Sequence, residues 1–128
     1  DVMKPIEILE QARSCNICID AKLSSLERLY FLIKHITRSD DIEPLIIKAS
    51  ALEKEINAKI DELIEMRVSA HVLIASLPLE EQAVLEEYYI NCLDWDKVAE
   101  KIHFSIRKVY NLRKSALSLI NSCAESAV

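Results

Sequence analysis

Five cations sit between residues 101 and 114: Lys101, Arg107, Lys108, Arg113 and Lys114, and no acidic residue interrupts the stretch 101–120. Gathered on a helix, such side chains offer positive charge and hydrogen-bond donors to a phosphate backbone, which is the chemistry of nucleic-acid binding. The cluster is local. Residues 77–100 carry one basic side chain, Lys97, against seven acidic ones, and the whole chain has a net charge of −5. An acidic protein with one basic element is not a general polyanion binder. It presents that single element to its target.

Other chemistry is weakly represented. Cys15-Asn16-Ile17-Cys18 has the spacing of a metal or redox pair, but no second pair or coupled histidines complete a zinc set. The pair lies inside an apolar-periodic segment with no βαβ pattern, so its cysteines read as small helix residues. His35, His71 and His103 share no spacing and read as structural or surface residues. Glu80, Glu81, Glu86 and Glu87 fall at helical spacing, where carboxylates are usually solvated. No catalytic set, metal site or cofactor is expected, and the protein does not read as an enzyme.

The elements that hold the basic cluster follow from composition and periodicity. The chain of 128 residues has no glycine, 51% hydrophobic residues and 29% charged ones. Without glycine, tight hairpins, phosphate-cradling loops and dinucleotide-binding turns are disfavoured, since all use positive φ. An all-α fold is expected. No apolar run approaches the roughly 18 residues of a membrane span. The opening Asp1-Val2-Met3-Lys4-Pro5 does not resemble a secretory leader, so the expected setting is the reducing cytoplasm.

Residues 1–76 read as an antiparallel coiled-coil hairpin. Leu9, Ala12, Asn16, Ile19, Leu23, Leu26, Tyr30, Ile33 and Thr37 are spaced three and four apart, with Asn16 as a polar, register-fixing member. Ile8, Cys15, Leu29 and Ile36 widen that face. A second seam runs through Ile42, Leu45, Ala49, Leu52, Ile56, Lys59, Leu63, Met66, Ala70, Leu73 and Leu77, widened by Ile46, Ile60 and Ile74. Asp40 or Asp41 is placed to cap the second helix, and Pro44 suits its first turn. The run Leu29-Tyr30-Phe31-Leu32-Ile33 is apolar on all sides, which calls for a third packing surface. Pairing of two chains into a four-helix bundle is favoured over fold-back of the C-terminal part.

Residues 77–122 read as three shorter helices, followed by a tail at 123–128. Leu79 to Ile90 is one helix, Asp94 caps a short one through Ile102, and Ser105 caps the last. A 3–4-residue turn between the last two is the layout of a helix-turn-helix. With Val109, Leu112 and Ala116 inward, Ile106, Arg107, Tyr110, Asn111 and Lys114 project away. Arg107 and Asn111 are the expected base-reading residues, since arginine matches guanine and asparagine adenine, with Ile106 and Tyr110 beside them. Ser105, Lys101, Lys108, Arg113 and Lys114 are the expected phosphate contacts.

Leu77-Pro78-x-x-Glu81-x-x-Val84-Leu85, Tyr89, then Trp95-x-x-Val98-Ala99-x-x-Ile102-x-x-Ser105-x-x-x-Val109 and Ala116-Leu117 form a pattern that resembles region 4 of bacterial sigma-70-type factors. With the preceding hairpin, the chain is similar to a family of small phage and prophage proteins of Gram-positive bacteria, itself similar to phage late-gene transcriptional regulators. Where the family usually carries glycine, this chain has Asn91-Cys92 in one turn and His103 in the next. The resemblance implies a sequence-specific regulator binding double-stranded DNA beside host RNA polymerase, and the seams above imply that it works as a homodimer. A complete sigma factor is excluded, because promoter opening needs an aromatic-rich single-strand-binding domain that the hairpin lacks. Two alternatives stand beside it: an interaction module that binds polymerase or a sigma factor without DNA, and a small-terminase-like packaging protein.

Overall fold

The computed structural model describes residues 3–36 and 41–126, with side chains through Ser122. Its described residues form helices joined by short turns, without a strand: α1 (Pro5–His35), α2 (Ile42–Ala75), α3 (Leu79–Leu85), a π-helical turn (Glu86–Ile90), α4 (Trp95–Ile102) and α5 (Ile106–Ser126). Thr37 of the first seam and the capping candidate Asp40 lie outside the described residues. No described helix is long and apolar enough to cross a membrane.

α1 and α2 lie side by side and antiparallel. Lys22 pairs with Glu55 at 2.9 Å, and Arg67 Nη2 donates to Asn16 Oδ1 at 2.8 Å, one low and one high in each helix. In α2 the row Ala49, Ile56, Leu63 and Ala70 of the expected seam is buried, Leu77 continues it just past the helix end, and only Ile42 at the start is half-buried. α1 differs in register. Ala12, Ile19 and Leu26 are buried as expected, but their partners in the seam are Cys15 and the half-buried Lys22 and Leu29, not Asn16, Leu23 and Tyr30. The rows 15/22/29 and 16/23/30 flank 12/19/26 symmetrically, so helical period alone does not choose between them. Lys22 occupies the inner row because its aliphatic stem packs while its ammonium reaches Glu55.

The helix ends have local causes. Pro5 opens α1, and the Glu7 carboxylate accepts the Lys4 backbone N–H at 3.3 Å. Asp41 precedes α2 but makes no capping bond. Pro78 takes an extended conformation and stops α2's direction. Gln82 Nε2 then donates to the carbonyls of Leu77 (2.7 Å) and Ala75 (3.2 Å), covering acceptors that the end of α2 leaves open. The expected helix from Leu79 to Ile90 is continuous in space, but its second half widens to π geometry, with Asn91 N–H donating to Glu86 at 3.0 Å.

The largest core joins both parts of the chain. Leu9, Ala12, Ala70 and Ile74 from the long pair, with Leu77 from the turn after it, pack with Val84, Leu85, Tyr89, Val98, Val109, Ala116 and Ile120. Two smaller clusters continue along the long pair, around Cys15, Ile19 and Leu63 and then Leu26, Ala49 and Ile56. The C-terminal helices therefore sit at one end of the pair. At the other end Tyr30, Phe31 and Leu32 are exposed, so the C-terminal part does not fold back over the 29–33 belt.

Candidate nucleic-acid interface

α4 and α5 are separated by the three-residue turn His103-Phe104-Ser105. His103 takes left-handed backbone (φ 59, ψ 38), and Phe104 N–H donates back to Ala99 at 3.0 Å, which ends α4 in a Schellman-type turn. Ser105 starts α5: its hydroxyl accepts the Lys108 N–H at 3.1 Å, and its carbonyl accepts from Val109 at 3.0 Å. Val109, Ala116 and Ile120 then face the core and are fully or almost fully buried. The opposite row, Arg107, Asn111, Lys114 and Ser118, is exposed and spaced four, three and four apart.

Ile106 and Tyr110 are likewise exposed, and the Tyr110 ring leans on Trp95 with centroids 6.3 Å apart. Arg107 and Lys114 make no ion pair among the described residues. The other cations are placed differently. Lys108 Nζ meets Glu80 Oε2 at 2.9 Å and lies 3.8 Å from the Phe104 ring centre, while Lys101 Nζ meets Glu87 Oε2 at 2.8 Å. Ser115 Oγ donates to Glu81 Oε1 at 3.4 Å, so α3 lays its acids along one flank of α5. The Lys108–Glu80 pair is exposed on both sides, and such pairs contribute about 0–1 kcal/mol, so a phosphate can replace Glu80 at that cost. Glu87, the partner of Lys101, is largely buried.

Arg113 is turned away from the exposed row. Four residues after Val109, it lies half-buried on the core flank, its guanidinium 5.2 Å from the Trp95 ring centre. Its Nε is buried without a partner among the described residues. It lines a small cavity of ≈ 230 Å³ with Glu10, Arg13, Ser14, Tyr88 and Tyr89. Burial pushes the Tyr89 hydroxyl above the usual phenol value despite the neighbouring Arg113.

The start of α4 is held by residues that spacing did not single out. Tyr88 stacks on Trp95 with centroids 3.8 Å apart and planes within 6°. Arg13 of α1 covers Tyr88 at 4.1 Å, donates to its carbonyl at 3.1 Å and reaches Asp94 at 3.3 Å. Asp94 thus precedes α4, as expected of a cap, but makes no capping bond; its carboxylate goes to Arg13. Asn16, expected in the seam, instead donates to Cys92 Sγ at 3.2 Å and accepts from Arg67. Cys92, not Asn91, takes the left-handed conformation (φ 61). Burial raises its thiol above the ordinary value, more than the bond from Asn16 lowers it. The signal for this joint was present as polar residues in apolar rows: Asn16 on α1 and Arg67 on α2.

Among the described residues no cluster of histidine, cysteine and carboxylate side chains is placed to hold a metal ion. The geometry therefore offers an exposed polar and basic row on one rigidly seated helix. Compared with protein-family models, with curated proteins and with solved structures, the chain matches none.

Proposed function

We propose that the chain is a sequence-specific regulator that binds double-stranded DNA through α5 and works as a homodimer joined through α1 and α2. The observation that carries this is the exposed row Arg107, Asn111, Lys114 and Ser118 on a helix whose opposite side is fully packed. In this reading α4 and α5 are a helix-turn-helix, and the first turns of α5 enter the major groove. Arg107 and Asn111 read bases, flanked by Ile106 and Tyr110. Lys114, Lys108, Lys101 and the Ser105 hydroxyl hold phosphates, with Lys108 exchanging Glu80 for the backbone. Arg113 holds Trp95 in place instead of touching DNA. Fluorescence anisotropy on labelled duplex at rising salt tests the docking surface. With two to four phosphates neutralised, log K should fall with log salt at a slope of about −2 to −3.5 per chain. A flat response overturns the reading.

One observation favours a second reading. Glu80 and Glu81 line the flank of α5, Glu80 neutralising Lys108, and Glu87 neutralises Lys101 of α4, so the surface also suits a protein partner such as RNA polymerase. Binding to polymerase that survives Arg107→Ala, together with no DNA binding at low salt, is the result that selects it.

A further inference from the structure

The seat of the C-terminal unit is the first layer of a longer stripe. On α1 the row Asn16, Leu23, Tyr30 repeats every seven residues, and on α2 the row Arg67, Ile60, Glu53, Ile46 runs beside it in the opposite direction. The Arg67–Asn16 hydrogen bond aligns the two rows. At that layer the stripe is covered, because Cys92 and the Ile90 carbonyl sit on Asn16 and Arg67. Beyond it the stripe is open: Leu23 is 39% exposed, Ile60 37%, Tyr30 46% and Ile46 50%. Tyr30, Ile46 and Glu53 line an open groove of ≈ 340 Å³ there, with Glu53 the one charged residue of the open layers.

We infer that a second copy of this chain covers the open layers, its own stripe laid antiparallel on the first about a two-fold axis near Glu27. A two-fold interface must bring one patch against itself, so its charges must be self-complementary. In the row bordering the stripe the outer members, Asp20 and Lys34, meet that condition, while Glu27 at the axis faces its own copy. Asp20, Glu27 and Lys34 are exposed and seven residues apart. An axis through the middle member carries Asp20 of each copy onto Lys34 of the other. Neither residue takes part in an ion pair among the described residues. The covered length, from Asp20 to Lys34, is about 21 Å at 1.5 Å per residue. Within it the second copy continues along α1 and α2 the interface that the C-terminal unit begins. This deepens the homodimer part of the proposed function and does not depend on DNA contact.

Sedimentation equilibrium of the full chain at micromolar concentrations tests it, with circular dichroism confirming that each variant stays helical. The wild type should give about twice the chain mass of 14.6 kDa. Tyr30→Glu should be monomeric, and Val72→Glu, on the far side of α2, should remain dimeric. Asp20→Lys and Lys34→Asp should each weaken the dimer about tenfold at low salt, since each turns two attractive pairs repulsive. The combined D20K/K34D variant should return to within about threefold of wild type, because the pairs are restored in reverse. A wild-type monomer throughout overturns both the stripe and the homodimer. A dimer indifferent to Tyr30→Glu, or single variants that the combination fails to rescue, overturns this stripe and axis while leaving a dimer through another face.

Discussion

His103 carries a side chain where the backbone asks for none. At φ 59 its β-carbon crowds the following carbonyl, a penalty of roughly 1 kcal/mol that glycine avoids. His103→Gly should therefore raise the urea midpoint by about 0.5–1 kcal/mol of stability, with unchanged slope. Cys92 has the same backbone but should respond differently, since its sulfur bonds to Asn16 and lies near the Arg13 carbonyl. Cys92→Gly gives up those contacts as it relieves the strain. The thiols also set a pH limit. Burial raises Cys15 and Cys92 above the ordinary 9.0, so the folded state keeps its protons longer than the unfolded one. Their contribution is complete below pH 9 and is lost as pH rises further through the folded values. Urea midpoints measured from pH 7.5 upward should hold until about 9 and then fall, with a smaller fall in Cys92→Ala. A midpoint that rises above pH 9 contradicts this.

Arg13 ties the long pair to the residues that lead into α4. Arg13→Ala removes a hydrogen bond, an exposed ion pair and the cover over Tyr88, and should cost about 1–3 kcal/mol in denaturant melts. Amide exchange should quicken at residues 90–96 before α5 is affected. Val109→Asp buries an unpaired charge and should unfold α3–α5, seen as lost helicity. The five helices, their order and the inward residues of α5 were legible in the sequence, because Val109, Ala116 and the α2 heptads carry a strong period. The α1 register was not, since apolar rows flank the seam on both sides and only the packed partner chooses between them. Asn16 was legible as a register device but not as the residue that seats a turn from position 92. The partners of Lys101 and Lys108 lie on other helices, at separations that no local spacing encodes.

At the scale of the whole molecule, one rigid end carries α5 while the other exposes Tyr30, Phe31 and Leu32. The basic row and the open stripe are thus physically separate, so loss of one should leave the other intact. Lys114→Ala should weaken binding to every duplex about equally and flatten the salt slope by about one unit. Base reading by the outward row of α5 is measured by selecting a preferred duplex from a random library and then competing it against random DNA. Arg107→Ala or Asn111→Ala should cost roughly 1–3 kcal/mol on the selected site and much less on random sequence, with helicity unchanged. A specific-to-random ratio that stays at the wild-type value in both variants would contradict base reading by α5.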